Sequence, residues 1–396
     1  MSQRTNAEIP DRPSDPVLKL DENVPVWPSG KGKPFSGKFP TIPDVKNMDL
    51  NSVVQLMLPK IVYAEAGMEC RIYYRNLVFA CDPSILRFSV QCPIGTAGEQ
   101  YWSATPEMTG DFPFFIEVKD RAGRVLGSAE TVIKVASQEN GNDRNLVVMI
   151  VGDSIMGNGK VADYLLEGMM SRGNSNLRLM GSHSGNGAPL SLGKAAVEAY
   201  GGWSWDTFMT LWNPGEEYNK RTKLMKMSGD TLVPAVREYL EKYNGGKAPD
   251  IVIFYLGCND IACANMGTIE KAIERSVANR DKLIAMFREA MPDALFGCAL
   301  LAPANGREEA FEINYKGSIP RRQYLYNQFS YTRRMLIDLQ DSAGLSVIPF
   351  FPGVDVMEDY PEDNAVHPVE KGQRRLAQML EAWLKNILPE PESISR

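Results

Sequence analysis

LVVMIVGDSIMGNGKVADYLLEGMM, residues 146–170, decides how the fold is read. Its first six residues are an apolar run of strand length without polar alternation, the pattern of a strand covered on both faces. Its last ten place Val161, Leu165, Leu166 and Met169 on one helical face. A strand, a tight polar turn and a helix in direct succession open an α/β unit. Further buried-strand runs follow at LRLMGS (177–182), IVIFYLG (251–257), ALFGCALL (294–301) and LSVIPFF (345–351). Amphipathic stretches around 229–243, 267–290 and 319–340 separate them, and LAQMLEAWLKNIL (376–388) closes the pattern. The expectation is a doubly wound α/β domain over 146–396, a parallel sheet with helices on both sides that binds ligands at the carboxyl ends of its strands.

Upstream the pattern changes. KIVYAEAG, CRIYYRNLVF, LRFSVQC, FFIEVKD and ETVIKVA are short runs punctuated by turn sequences such as DRAGR, with no helix between them. They predict a small all-β sandwich over 49–137, joined by the polar, turn-rich linker 138–145. Residues 1–48 hold eight of the 26 prolines and little periodic apolarity, so an extended arm is expected there.

The formal net charge is −6, from 43 Lys and Arg against 49 Asp and Glu, and no basic run offers a surface for nucleic acid. No apolar stretch approaches the ~18 residues that span a bilayer. The start, MSQRTNAEIPDRPSDP, lacks the charged-then-apolar pattern of a secretory leader. A secreted or periplasmic protein whose leader has been removed is the expected location, and a cytoplasmic one stays open. Cys70, Cys81 and Cys92 fall in the β region, where one bridged pair and free thiols are equally compatible with the spacing.

Four short motifs fall at the carboxyl ends of the expected strands. VGDSIMGNG puts Ser154 just past the first, where a strand-to-helix turn exposes a hydroxyl. YGGWSWDTF sets Gly202 before Trp203, and a glycine lets backbone N–H approach a substrate closely. Trp203 and Trp205 flank that glycine and are candidate substrate-binding faces. IVIFYLGCND delivers Asn259, whose amide is a neutral donor for a developing oxyanion. DNAVHP sets His367 before the last helix. His183, the other histidine, sits in GSHSGNG, where a solvated or hydrogen-bonding role is expected. The two histidines lack metal-ligand spacing, so neither metal nor cofactor is expected.

Together, GDS at 152–154, Gly202 before Trp, GCND at 257–260 and His-Pro at 367–368 resemble the four blocks of the SGNH (GDSL-like) hydrolase family. The resemblance covers roughly 145–396. It implies a three-layer α/β/α flavodoxin-like SGNH domain with a parallel sheet and carboxylic ester hydrolysis. Ser154 would be the nucleophile, His367 the base, and the amides of Ser154 and Gly202 with the Asn259 side chain the oxyanion hole. Asp153 and Asp260 would be structural. Family members commonly carry Asp three residues before the histidine, and here Asn364 stands there with Asp363 one place earlier. Either Asp363 turns inward, or His367 and Ser154 form a dyad assisted by a neutral acceptor such as Asn364 or a backbone carbonyl. The β-sandwich ahead of such a domain resembles bacterial carbohydrate acetylesterases, which implies a polysaccharide or small-molecule ester substrate. Tyr101 and Trp102 are candidate sugar contacts in the β region. A lysophospholipase or thioesterase, and a non-catalytic glycan-binding protein with a degenerate hydrolase domain, are the alternatives.

Overall fold

A computed structural model describes residues 54–79, 83–142, 144–157, 160–190, 194–213 and 221–390. The arm expected over 1–48 and Cys81 lie outside these residues. Among the described cysteines, Cys70 and Cys92 carry free thiols.

The N-terminal part contains β1 (Ile61–Glu65), β2 (Cys70–Tyr73), β3 (Arg87–Gln91), β4 (Tyr101–Ala104), β5 (Gly110–Lys119) and β6 (Val125–Ala136). β1, β6, β5 and β3 form one sheet in that order, with β1 parallel to β6 and the other pairs antiparallel. β2, β4 and Thr96–Ala97 form a second, antiparallel sheet. Trp102 of β4 meets Phe114 of β5 edge-to-face with ring centres 5.4 Å apart, which joins the two sheets. Its indole N–H donates to the Ile94 carbonyl and the ring is 1% exposed, so Trp102 is a core side chain and not a sugar platform.

The second part contains β7 (Leu146–Gly152), β8 (Leu177–Met180), β9 (Ala196–Ala199), β10 (Ile251–Tyr255), β11 (Leu295–Leu300) and β12 (Leu345–Pro349). Its main helices are α1 (Val161–Ser171), α2 (Val236–Asn244), α3 (Ile269–Ala290), α4 (Arg321–Leu339) and α5 (Glu370–Ile387). All six strands run parallel. β8 pairs with the first half of β7 and β9 with its last two residues, so both occupy one edge of β7, while β10, β11 and β12 follow on the other. That gives the order 2-1-3-4-5 of a flavodoxin-like doubly wound sheet.

Both faces are covered, which explains why the strand runs are apolar throughout. Phe254 of β10 and Phe296 of β11 share one face, and Phe254 meets Phe287 of α3 edge-to-face at 5.2 Å. Gly297 points to the opposite face, where an added Cβ would stand 2.6 Å from the Trp383 ring of α5. The stretch expected to turn helical near residue 229 begins instead as a hairpin, Met225–Ser228 with Thr231–Pro234. β-branched Thr231 and Val233 suit the strand, and Pro234 lacks the N–H that a helix interior needs.

One continuous core runs from Ile72, Trp102 and Ile133 through Val148 to Trp383. At the seam between the two parts lies a buried ionic cluster. Arg172, just after α1, bridges Glu65 of β1 at 3.2 Å and also Glu381 of α5. Lys385 of α5 donates to the carbonyls of Gln138 and Asn140 and to Asn174 Oδ1. Glu65 is 0% exposed, and burial, with Glu381 next in effect, pushes its carboxyl up to about 7. An acid raised on folding opposes folding once ionised, so its penalty grows as pH climbs from the ordinary carboxylate range to about 7. Glu65→Gln removes that ionisation. The stability of the variant relative to wild type should therefore rise between pH 5 and 8, by on the order of 3 kcal/mol, measured by urea unfolding at each pH. A difference that stays flat with pH would mean Glu65 titrates normally.

Candidate active site

β7 ends at Gly152, and the chain turns at once into a single helical turn, Ser154–Gly157. Asp153 ties the turn down. Its N–H donates to the Tyr255 carbonyl at 3.3 Å, its Oδ1 accepts the Ile155 N–H at 3.0 Å, and its carbonyl accepts the Gly157 N–H at 2.9 Å. Burial, more than the nearby Asp260, pushes the Asp153 carboxyl up to about 7, and its Oδ2 has no hydrogen-bond partner.

His367 lies ahead of α5 with Nε2 2.8 Å from Ser154 Oγ. Its Nδ1 lies 3.1 Å from Asn364 Oδ1. An amide oxygen only accepts, so Nδ1 carries the proton and Nε2 keeps a lone pair for the serine hydroxyl. Burial holds the imidazole below its ordinary value, which favours the neutral form a base requires. Asn364 Oδ1 also accepts the N–H groups of Val366 at 3.1 Å and His367 at 2.9 Å. That local turn faces residue 364 toward the imidazole and leaves Asp363 exposed to solvent. Asn364 Oδ1, and not Asp363, is the side-chain oxygen beside Nδ1.

Asn259 sits in the turn after β10 and donates through Nδ2 to the Trp203 carbonyl at 2.8 Å. Its amide has a second hydrogen beyond that bond. Gly202 is exposed, with φ of 78° and no atom within 4 Å of where a Cβ would stand, so backbone conformation rather than space calls for glycine. Gly257 faces both demands, with φ of 126° and a virtual Cβ 2.3 Å from the Tyr331 ring.

Trp203 and Trp205, expected as substrate faces, are 2% and 0% exposed. Trp203 stacks on Tyr200 with ring centres 4.0 Å apart, and Trp205 donates its indole N–H to Tyr331 Oη at 2.9 Å. Two indoles two residues apart found partners on neighbouring elements, so neither presents a face to a ligand. His183 is likewise buried, edge-on to Tyr200 at 4.7 Å, and burial brings it down to about 4. It lies in a short strand paired with Val197 and not in a solvated loop.

Several residues that hold the site carry no sequence signal. Asn305 is fully buried and donates to the carbonyls of Pro361 and Asn364, and Asn314 Oδ1 accepts the Ala365 N–H. They act across some fifty residues, a distance that neither periodicity nor short motifs report.

The sequence matches no protein-family model and no curated protein. Solved structures similar to this chain include an acetyl esterase mutant with acetate ion, at 17% identity and TM-score 0.39, covering 60% of this chain and 96% of that one. A carbohydrate esterase family 3 protein from Talaromyces cellulolyticus aligns at 18% identity and TM-score 0.39, over 60% and 96% of the two chains. A lipase/acylhydrolase from Enterococcus faecalis aligns at 12% identity and TM-score 0.35, over 63% and 100%.

The close approach at Gly257 makes a sharp test of how Asn259 is held. Gly257→Ala should lower the melting temperature, and should displace Asn259 so that its amide no longer reaches the Trp203 carbonyl. A variant crystal structure with that bond intact would show that the turn tolerates a side chain.

Proposed function

We propose that this chain is a serine esterase of the SGNH type, cleaving carboxylic esters through an acyl-serine. The observation that carries the reading is the relay from Ser154 Oγ to His367 Nε2 and from Nδ1 to Asn364 Oδ1. Ser154 Oγ attacks the ester carbonyl while its proton passes to His367 Nε2. The second Asn259 amide hydrogen and the N–H groups of Ser154 and Gly202 receive the oxyanion. The intermediate collapses and the alcohol departs with the proton held on His367. Water, deprotonated by the same imidazole, then attacks the acyl-serine and releases the carboxylic acid.

The substrate in this reading is an acetylated carbohydrate, with the N-terminal sheets as an accessory β-sandwich. The acidic net charge and the β unit preceding the hydrolase unit support that choice over a lipase acting at an anionic membrane. No helix among the described residues is long and apolar enough to cross a membrane.

A fluorophosphonate probe should label Ser154 in the wild type and label neither Ser154→Ala nor His367→Ala, as read by mass spectrometry. No labelling of a folded wild type would favour the non-catalytic reading. Asn259→Ala should lower kcat on p-nitrophenyl acetate by about 10²–10³-fold. Acetyl esters should be preferred to long acyl esters, and the opposite order would point to a lipase.

The pH profile follows from the base. His367 must be neutral to act, and its value is held below the ordinary imidazole value by burial. The acidic limb of kcat/KM should therefore fall below pH 6.5. Asn364→Asp puts a carboxylate beside Nδ1, favours the imidazolium and should move that limb to higher pH. A limb that stays in place would place the Nδ1 proton on another acceptor.

A further inference from the structure

Beneath the 200–205 turn lies a buried polar network that the proposed reaction does not use. Glu198, on β9, is 0% exposed. Its Oε1 accepts the Tyr200 hydroxyl at 2.7 Å, and its Oε2 accepts the Tyr239 hydroxyl at 2.7 Å and the Ser182 N–H at 3.2 Å. Tyr200 also meets Ser182 Oγ through its hydroxyl at 3.0 Å. A buried carboxylate with this many donors, drawn from the residue after β9, from α2 and from the segment after β8, fixes a side chain rather than serving a surface.

What it fixes is the Tyr200 ring. That ring lies stacked on Trp203 at 4.0 Å and 24°, with His183 edge-to-face against it at 4.7 Å and Phe208 closing on Trp203 at 4.8 Å. The backbone is tied at the same place, the Tyr200 N–H to the Gly152 carbonyl at 3.0 Å and the Trp203 N–H to the Tyr200 carbonyl at 3.3 Å. Trp203 in turn offers its carbonyl to Asn259 Nδ2. A rotation of Trp203 would move that carbonyl and swing the Asn259 amide with it.

We propose that Tyr200, anchored by Glu198, is a positioning residue that sets the oxyanion hole by fixing the Trp203 carbonyl and, through it, the Asn259 amide. The inference rests on the esterase reading above. Tyr200 touches no reacting atom, so its removal acts through the donors and shows in kcat while substrate affinity is kept.

The test is a double-mutant cycle on p-nitrophenyl acetate, with rates normalised to folded protein by circular dichroism. Tyr200→Leu removes ring and hydroxyl, and Tyr200→Phe keeps the ring and removes the anchor. Tyr200→Leu should lower kcat by about 10²-fold, the scale of one oxyanion donor, and Tyr200→Phe should lower it several-fold. KM and the acidic limb of the pH profile should stay in place. In an Asn259→Ala background both substitutions should cost little more, because they act through the donor already removed. Losses that multiply with Asn259→Ala, a parallel rise in KM, or unchanged kcat would overturn the inference. If Tyr200→Leu does not fold, Tyr200→Phe decides the cycle alone. Hydrolysis that survives Ser154→Ala would overturn the esterase reading instead, and the two failures are thereby separate.

Discussion

The candidate site hangs on the register of β7 between its two neighbours. Gly152 pairs with Ala199 on one side and with Tyr255 on the other. Parallel strands in that register end at one level, so the residues that follow them arrive together. Strand pairing brings Ser154, the 200–205 turn and Asn259 to a common edge. His367 has farther to come, since it follows β12, three strand positions from β7. Its loop is held by side chains instead, Asn305 and Asn314 gripping 361–365 and the Arg307 guanidinium donating to the Met357 carbonyl at 2.6 Å. The sheet thus positions the hydroxyl and the donors, and a hydrogen-bonded loop positions the imidazole.

Buried charge is handled in two ways. At the seam between the two parts, Glu65 and Glu381 face Arg172 and Lys385, so each desolvated charge has an opposite one nearby. Such a cluster adds little net stability over apolar packing, but removing one member is costly, so it enforces one mutual placement of β1, α1 and α5. Beneath the site, neither Asp153 nor Asp260 forms an ion pair among the described residues, and burial raises both, Asp260 to about 6. Both serve the turns as acceptors, Asp153 for the Ile155 N–H and Asp260 for the Trp205 N–H.

Much of this was legible in the chain because it is local. Unbroken apolar runs marked the strands of a sheet covered on both faces, and the motifs at their ends named Ser154, Asn259 and His367, which the fold brings to one sheet edge. What stayed hidden depends on contacts distant in sequence. The sequence shows that Trp203 and Trp205 flank a glycine but not that Tyr200 and Tyr331 take up both rings. Nor does it reveal the parallel pairing of β1 with β6, which fastens an early strand of the β region to its last. The choice between Asp363 and Asn364 was open for a related reason, because neighbouring polar residues in a turn differ only in direction, and direction is set by which backbone N–H groups each can cap.

Asn364 is where the site departs from a charged triad, and its geometry says what the departure does. One amide oxygen lies within reach of three donors, two backbone N–H groups and Nδ1–H. It has two lone pairs, so its bond to the imidazole is shared, and it brings no negative charge to the imidazolium. A carboxylate would have a second oxygen to spare for the ring and would raise the imidazole. With the amide, burial acts unopposed and the imidazole stays low. As the proposed base, His367 would then be neutral further into acid but weaker, since a lower value means less driving force to take the serine proton. In the proposed reaction, asparagine at this position would trade base strength for a neutral imidazole further into acid, while the turn that orients the ring is kept.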